Sequence, residues 1–100
     1  MPLRENMEEI IRKKYCFTGR VQGVGFRYRA IHSASMLGVT GWVQNDWDGS
    51  VKMEAQGTRD QLERLLEMIG NGRYIEIEAF TAERIPVQED ERGFSAGRNL

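Results

Sequence analysis

Residues 39–56 read VTGWVQNDWDGSVKMEAQ, two short apolar-rich segments joined by the tetrapeptide DWDG. In the second segment Val51, Met53 and Ala55 alternate with polar residues, as in a strand with one buried face. The Asp-Gly pair at 48–49 is typical of hairpin turns, because glycine accepts a positive φ there and aspartate bonds to the turn backbone. The stretch therefore predicts a β-hairpin in the middle of the chain.

Apolar residues recur at helical spacing on both sides of this hairpin. The stripes are Phe26, Ala30, Ala34 and Leu37 before it, and Leu62, Leu65, Leu66 and Ile69 after it. Gly38 is a natural C-terminal stop for the first helix. Thr58 and Gln61 have the spacing of a capping box, which opens the second helix. The hairpin is thus expected to lie between two amphipathic helices.

Strand signals continue outward from the two helices. Residues 14–18, KYCFT, place Tyr15 and Phe17 on one face, and residues 74–86 begin with an alternation of isoleucine and glutamate. Phe94 marks a short edge strand near the C-terminus. The order β-α-β-β-α-β predicts an α+β, ferredoxin-like sandwich with a mainly antiparallel sheet and two helices on one face.

The length and composition of the chain indicate how many domains it forms and which kinds of partner and compartment suit it. One hundred residues suit a single domain, and 14 basic against 15 acidic residues give a net charge of −1, unlike a general nucleic-acid or membrane-surface binder. Residues 1–13 are interpreted as a mobile or partly helical extension, followed by one domain over 14–100. Cys16 is the only cysteine, and neither a membrane span nor a signal-peptide region is recognised. A cytoplasmic monomer is the expectation.

A glycine-rich stretch, GRVQGVGFR at 19–27, precedes the first helix. Glycines at 23 and 25 allow the backbone to curl, and successive N–H groups at a helix N-terminus form a concavity that suits an anion. Arg27 lies in the first helical turn, where a cation is unfavourable unless an anion compensates it. The pattern favours an oxyanion site, although glycine-rich turns and solvent-exposed arginines are common without any ligand.

Several other site types are not supported by the sequence. The loop lacks both the Walker pattern GxxxxGK[ST] and the dinucleotide pattern GxGxxG. Asp46 and Asp48 are two turn carboxylates, far short of a calcium loop. His32 is a lone histidine on the first helix, and Cys16 is interpreted as a structural thiol. We therefore predict no metal and no cofactor.

The two motifs together carry a family resemblance. GRVQGVGFR followed by GWVQNDWDGSV (41–51) resembles the acylphosphatase signature pair, G-x-V-Q-G-V-x-F-R and G-W-V-x-N-x-x-D-G-x-V. The resemblance implies a metal-independent hydrolase of the carboxyl–phosphate bond of small-molecule acyl phosphates. It implies that Arg27 binds phosphate and that Asn45 holds the attacking water through its amide. The implied phosphate-binding loop consists of Arg20, Val21, Gln22, Gly23, Val24, Gly25 and Phe26.

Two alternatives to an enzyme share this order of elements. One is a catalytically silent anion-binding or regulatory module on the same fold. The other is a single-stranded RNA-binding domain of the RRM type, but the chain lacks the aromatic RNP1 pattern and a basic excess. The enzyme is the favoured interpretation, and the natural acyl phosphate cannot be chosen from the sequence.

Overall fold

The strands and helices of the computed structural model, which describes residues 8–97, follow the predicted order. Their bounds are β1 Ile11–Arg20, α1 Phe26–Leu37, β2 Thr40–Asn45, β3 Val51–Gly57, α2 Arg59–Gly70, β4 Glu76–Ile85 and β5 Phe94–Ala96. The sheet order is β4-β1-β3-β2-β5, and among the described strands only the short β5 pairs in parallel, with β2. The α+β ferredoxin-like fold and the short edge strand at Phe94 are therefore confirmed.

Local sequence signals account for the bounds of the helices. α1 lies between Gly25 and Gly38, which both have left-handed backbone conformations. The capping box of α2 is formed as predicted: the Gln61 N–H donates to Thr58 Oγ1 at 3.2 Å, and the Thr58 N–H donates to Gln61 Oε1 at 2.8 Å. Gln61 Nε2 also donates to the Leu37 carbonyl at 2.9 Å, so the same side chain ties the two helices together. Within residues 8–97, neither helix is long and apolar enough to cross a membrane.

One apolar core lies between the helices and the facing side of the sheet. It joins buried residues of β1, β2 and β3 to the inward stripes of both helices, among them Tyr15, Phe17, Val43, Met53, Ala30, Leu65 and Ile69. Tyr15 and Val43 both pair with Met53, which places them on the same face of the sheet. The hydrophobic area removed from water here is the main stabilising contribution to the fold.

The first strand begins earlier than the sequence predicted. Ile11 already pairs with Gly57, so residues 11–13 are part of β1 and their assignment to a mobile or helical extension is wrong. The strand was not predicted here because Arg12 is charged, and a charged residue is expected in solvent. Its side chain is instead fully buried, with its Nε 3.0 Å from Glu54 Oε1 and its Nη1 2.7 Å from Glu91 Oε1. Both partners are distant in sequence. Residues 1–7 of the predicted extension lie outside the described residues.

A β-bulge precedes the glycine-rich loop. Thr18 pairs with Ala79 and Gly19 with Ile77, so one step along β1 faces two steps along β4. The extra residue shifts the alternation of side chains along β4 by one position. Ile77 is therefore half-buried, whereas Ala79, two residues further on, is exposed. The extra residue lies on β4, and a bulge bends the strand that carries it, so β4 bends opposite the end of β1, where the loop begins.

Candidate active site

Residues 21–25 connect β1 to α1 and are anchored at both ends. Val21 and Phe26 are each 1% exposed, so the loop enters and leaves through the core. Between them Gly23 has φ 72° and Gly25 has φ 84°. A Cβ atom at either position would meet no other atom within 4 Å, so the backbone conformation, not space, favours glycine there. The chain thus follows a tight curve that two fixed side chains hold in place.

The loop contains N–H groups that no described acceptor uses. Gly25 is the N-cap of α1 and supplies no side-chain cap, and the first turn contains no acidic residue. Within residues 8–97, the N–H groups of residues 22–25 donate to no backbone or side-chain acceptor. Free N–H groups and the positive end of the helix dipole together attract an anion. The arrangement therefore has the chemistry of an oxyanion site.

Arg27 adds a full positive charge to the same helix end. Its side chain is exposed, and among the described residues it forms no ion pair. Arg20 is likewise exposed at the end of β1. Arg29 differs, because its Nε donates to the Met68 carbonyl at 2.5 Å and thereby ties α1 to α2. Arg27 is thus the arginine of α1 whose guanidinium is available to a ligand.

The hairpin turn after β2 is held by its own polar groups. The Asp46 N–H donates to the Ser50 carbonyl at 2.9 Å, and the Ser50 hydroxyl donates to Asp48 Oδ1 at 2.6 Å. A hydrogen bond from Lys52 holds the pKa of Asp46 below its usual range, and the Ser50 hydroxyl lowers the pKa of Asp48 in the same way. Both carboxylates are therefore ionised at neutral pH and serve the turn.

Asn45, the last residue of β2, carries an unsatisfied polar atom. Its Oδ1 is buried and accepts no hydrogen bond from any described group. Leaving a buried acceptor unpaired costs about 1–3 kcal/mol, so such an atom calls for a donor from outside the protein. A carbonyl oxygen only accepts, which means that the donor must bring an O–H or N–H group. A water molecule meets that requirement.

Gln22 brings the loop and the hairpin turn together. Its Nε2 donates to the Asp46 carbonyl at 2.6 Å and to the Ser50 carbonyl at 2.9 Å. The side chain of this predicted phosphate-binding residue therefore points to the turn, and only its backbone N–H lies with the loop. Asn45 directly precedes Asp46, so the same contact ties the loop to the residue that follows Asn45. Sequence analysis missed this role, since the bonded partners are 24 and 28 residues away.

The aromatic residues near the turn differ in exposure. Trp47 is 94% exposed and stands on the turn itself, so it does not belong to the core, whereas Trp42 on β2 is half-buried. Tyr28 follows Arg27 on α1 and stacks on His32, with ring centroids 6.2 Å apart. His32 is exposed, and Cys16 is a half-buried free thiol.

Comparisons with known proteins point in one direction. The acylphosphatase family model matches residues 13–96. The chain is 44% identical to an acylphosphatase of Bifidobacterium longum over 81% of this chain and 84% of the relative, and 39% identical to one of Trichormus variabilis over 98% and 97%. The crystal structure of acylphosphatase from Bacillus subtilis is 30% identical, with a TM-score of 0.80 over 88% of this chain and 99% of that one. The matched region includes both the loop and the hairpin turn.

Proposed function

This chain belongs to the acylphosphatase family and hydrolyses the carboxyl–phosphate bond of acyl phosphates, and we propose that residues 20–26, Arg27 and Asn45 form its catalytic site. The observation that carries the proposal is the buried Asn45 Oδ1, which lacks a partner among the described residues; Asn45 directly precedes the turn that Gln22 ties to a loop of free N–H groups. An acceptor for water next to an anion site is the arrangement that phosphate hydrolysis needs.

The first step is binding of the phosphoryl group. The N–H groups of the loop donate to its oxygens, and the planar fork of Arg27 donates to two of them. Phosphoryl transfer passes through a loose transition state in which charge spreads over the equatorial oxygens, so fixed donors aimed at those oxygens stabilise it. The loop is already curved by its glycines and anchored in the core, which means that little reorganisation accompanies binding.

The second step is attack by water on phosphorus. Asn45 Oδ1 accepts a hydrogen bond from this water and turns its lone pair towards the phosphorus atom. A P–O bond to the water forms while the P–O bond to the acyl group breaks, and the carboxylate leaves with the electron pair. The proton of the water passes to a phosphate oxygen or to solvent. The conjugate acid of the leaving group has a pKa of about 4, so no general acid is required.

Inorganic phosphate tests the proposed binding site without any mutation. We expect it to inhibit hydrolysis of benzoyl phosphate competitively in the presence of EDTA, because product and substrate share the phosphoryl-binding groups. In an NMR titration the amide signals of residues 22–27 should shift most, and amides of the turn residues 47–49 less. A titration in which the loop amides do not respond would count against the proposed site.

We also infer that the enzyme acts as a cytoplasmic monomer. The free Cys16 thiol is half-buried on β1, which suits a reducing compartment. The loop, Arg27 and Asn45 all come from one chain, so the site needs no second copy. Light scattering should give the mass of a single 11.5 kDa chain, and a stable dimer mass would contradict the inference.

A further inference from the structure

The loop that carries the free N–H groups and the turn that follows Asn45 belong to strands that are not neighbours. β3 lies between β1 and β2 in the sheet, and adjacent strands are about 5 Å apart, so β1 and β2 are separated by about 10 Å. No ladder hydrogen bond joins the ends of these two strands directly. Some other contact must set the distance between the phosphoryl group and the attacking water.

Within residues 8–97, the side chain of Gln22 makes the only hydrogen bonds between residues 21–27 and residues 45–50. Its amide spans the gap and donates to one carbonyl on each side of the turn. We propose that Gln22 is a positioning residue, which fixes the separation between the phosphoryl group held by the loop and the water held by Asn45. The inference rests on the proposed function of these two elements.

Each element keeps its own shape without this contact. The loop is held by Val21 and Phe26 in the core, independently of Gln22. In the turn, the Asp46 carbonyl also accepts from the Gly49 N–H at 3.2 Å, and the Ser50 carbonyl accepts from the Asp46 N–H at 2.9 Å. Neither carbonyl is left unpaired when the Gln22 amide is removed. Loss of Gln22 therefore alters the distance between two intact elements.

The test is Gln22→Met, which keeps the length of the side chain and removes the donor. Because a displacement of about 1 Å at a reacting centre can cost ~10²-fold in rate, we expect kcat for benzoyl phosphate to fall by about 10-fold to 100-fold. The inhibition constant of inorganic phosphate should change by less than about threefold, since phosphate binding uses only the loop and Arg27. Gln22→Ala provides a second variant that removes the same donor with less bulk.

Gln56→Met is the matched control. Gln56 Nε2 donates to the Gln88 carbonyl at 2.9 Å, and its Oε1 accepts from the Gln88 N–H at 2.8 Å and from Arg12 Nη1 at 3.2 Å, so it ties a distant segment to the face of the sheet opposite the helices. The same substitution there removes these hydrogen bonds without touching the loop or the turn. We expect a fall in thermal stability at least as large as that of Gln22→Met, and an unchanged kcat. An equal fall in kcat in both variants would overturn the inference, because it would reflect stability alone.

The kcat of the double variant Gln22→Met with Asn45→Ala tests whether Gln22 acts through the water that Asn45 holds. If Gln22 acts by placing the water of Asn45, the double variant is no slower than Asn45→Ala, because the positioned group is already absent. If the double variant were slower than Asn45→Ala by the full factor that Gln22→Met alone costs, the inference would be overturned. An unchanged kcat in both Gln22 variants, with Asn45→Ala inactive, would overturn it as well. A fully active Asn45→Ala would instead contradict the proposed function itself, so the two failures are distinguishable.

Discussion

Arg27→Ala is expected to lower kcat/KM for benzoyl phosphate by about 10³-fold or more, the upper end of the cost of losing one fixed donor at developing charge. Arg27 supplies both a full charge and a two-pronged donor, and no described residue takes up its guanidinium in an ion pair. Arg27→Lys restores the charge without the fork and should recover only part of the loss. Inhibition by phosphate should weaken in parallel, because product and substrate share the contact.

Arg64→Ala is the matched control for this prediction. Arg64 is also an exposed arginine on a helix, but it lies on α2 and its removal lowers the net charge equally. Its activity should equal that of the wild type at the same ionic strength. Circular dichroism of Arg27→Ala should match the wild type, and urea unfolding without phosphate should show equal or slightly higher stability, because an exposed cation at a helix N-terminus is unfavourable. Wild-type kcat/KM in folded Arg27→Ala would remove Arg27 from the mechanism.

Asn45→Ala is expected to lower kcat by about 10²–10³-fold while KM and phosphate inhibition change little. The amide contacts the attacking water and not the phosphoryl group, so its loss affects the rate of attack and leaves ligand binding intact. The free energy of unfolding should not fall, and a small increase is expected, because the variant removes a buried acceptor that has no partner within residues 8–97. Urea unfolding measures this difference.

Asn71→Ala serves as the control for the amide substitution. Asn71 is exposed at the C-cap of α2 and its replacement should leave kcat unchanged. A large rise in the phosphate inhibition constant of Asn45→Ala would contradict its assignment to the water, because it would place the amide among the phosphate donors. A clear loss of stability would likewise contradict the description of its Oδ1 as unsatisfied.

The parts of the fold that sequence analysis predicted are those determined by neighbouring residues. The capping box at Thr58, the Asp-Gly turn and the left-handed stop at Gly38 depend on contacts within a few residues, and all are present. The order of these elements leaves few ways to bury the helix stripes, which is why the ferredoxin-like arrangement followed. The curved glycine-rich loop could also be predicted, because the positive φ of Gly23 and Gly25 depends on the local backbone and not on what packs around it.

The missed features depend on residues far apart in the chain. From sequence alone Arg12 is expected to be exposed, and only the folded chain brings Glu54 and Glu91 beside it. These ion pairs allow Arg12 to be buried at the start of β1. Gln22 reads as one more residue of the loop, since nothing nearby reveals that its amide reaches Asp46 and Ser50. The unpaired side-chain oxygen of Asn45 could not be predicted from sequence either, because its burial depends on how the whole chain folds. Periodicity and turn chemistry contain none of this information.

In the proposed site, Arg27 binds the phosphoryl group and Asn45 places the attacking water, so the two residues have separate tasks. The most direct test measures kcat for benzoyl phosphate and the inhibition constant of phosphate, in EDTA, for wild type, Arg27→Ala and Asn45→Ala. We expect Asn45→Ala to lose kcat by about 10²-fold or more at an unchanged inhibition constant, whereas Arg27→Ala should lose both turnover and phosphate binding. An equal loss of phosphate binding in both variants, or full turnover in both, would show that Arg27 and Asn45 do not divide the two tasks in this way.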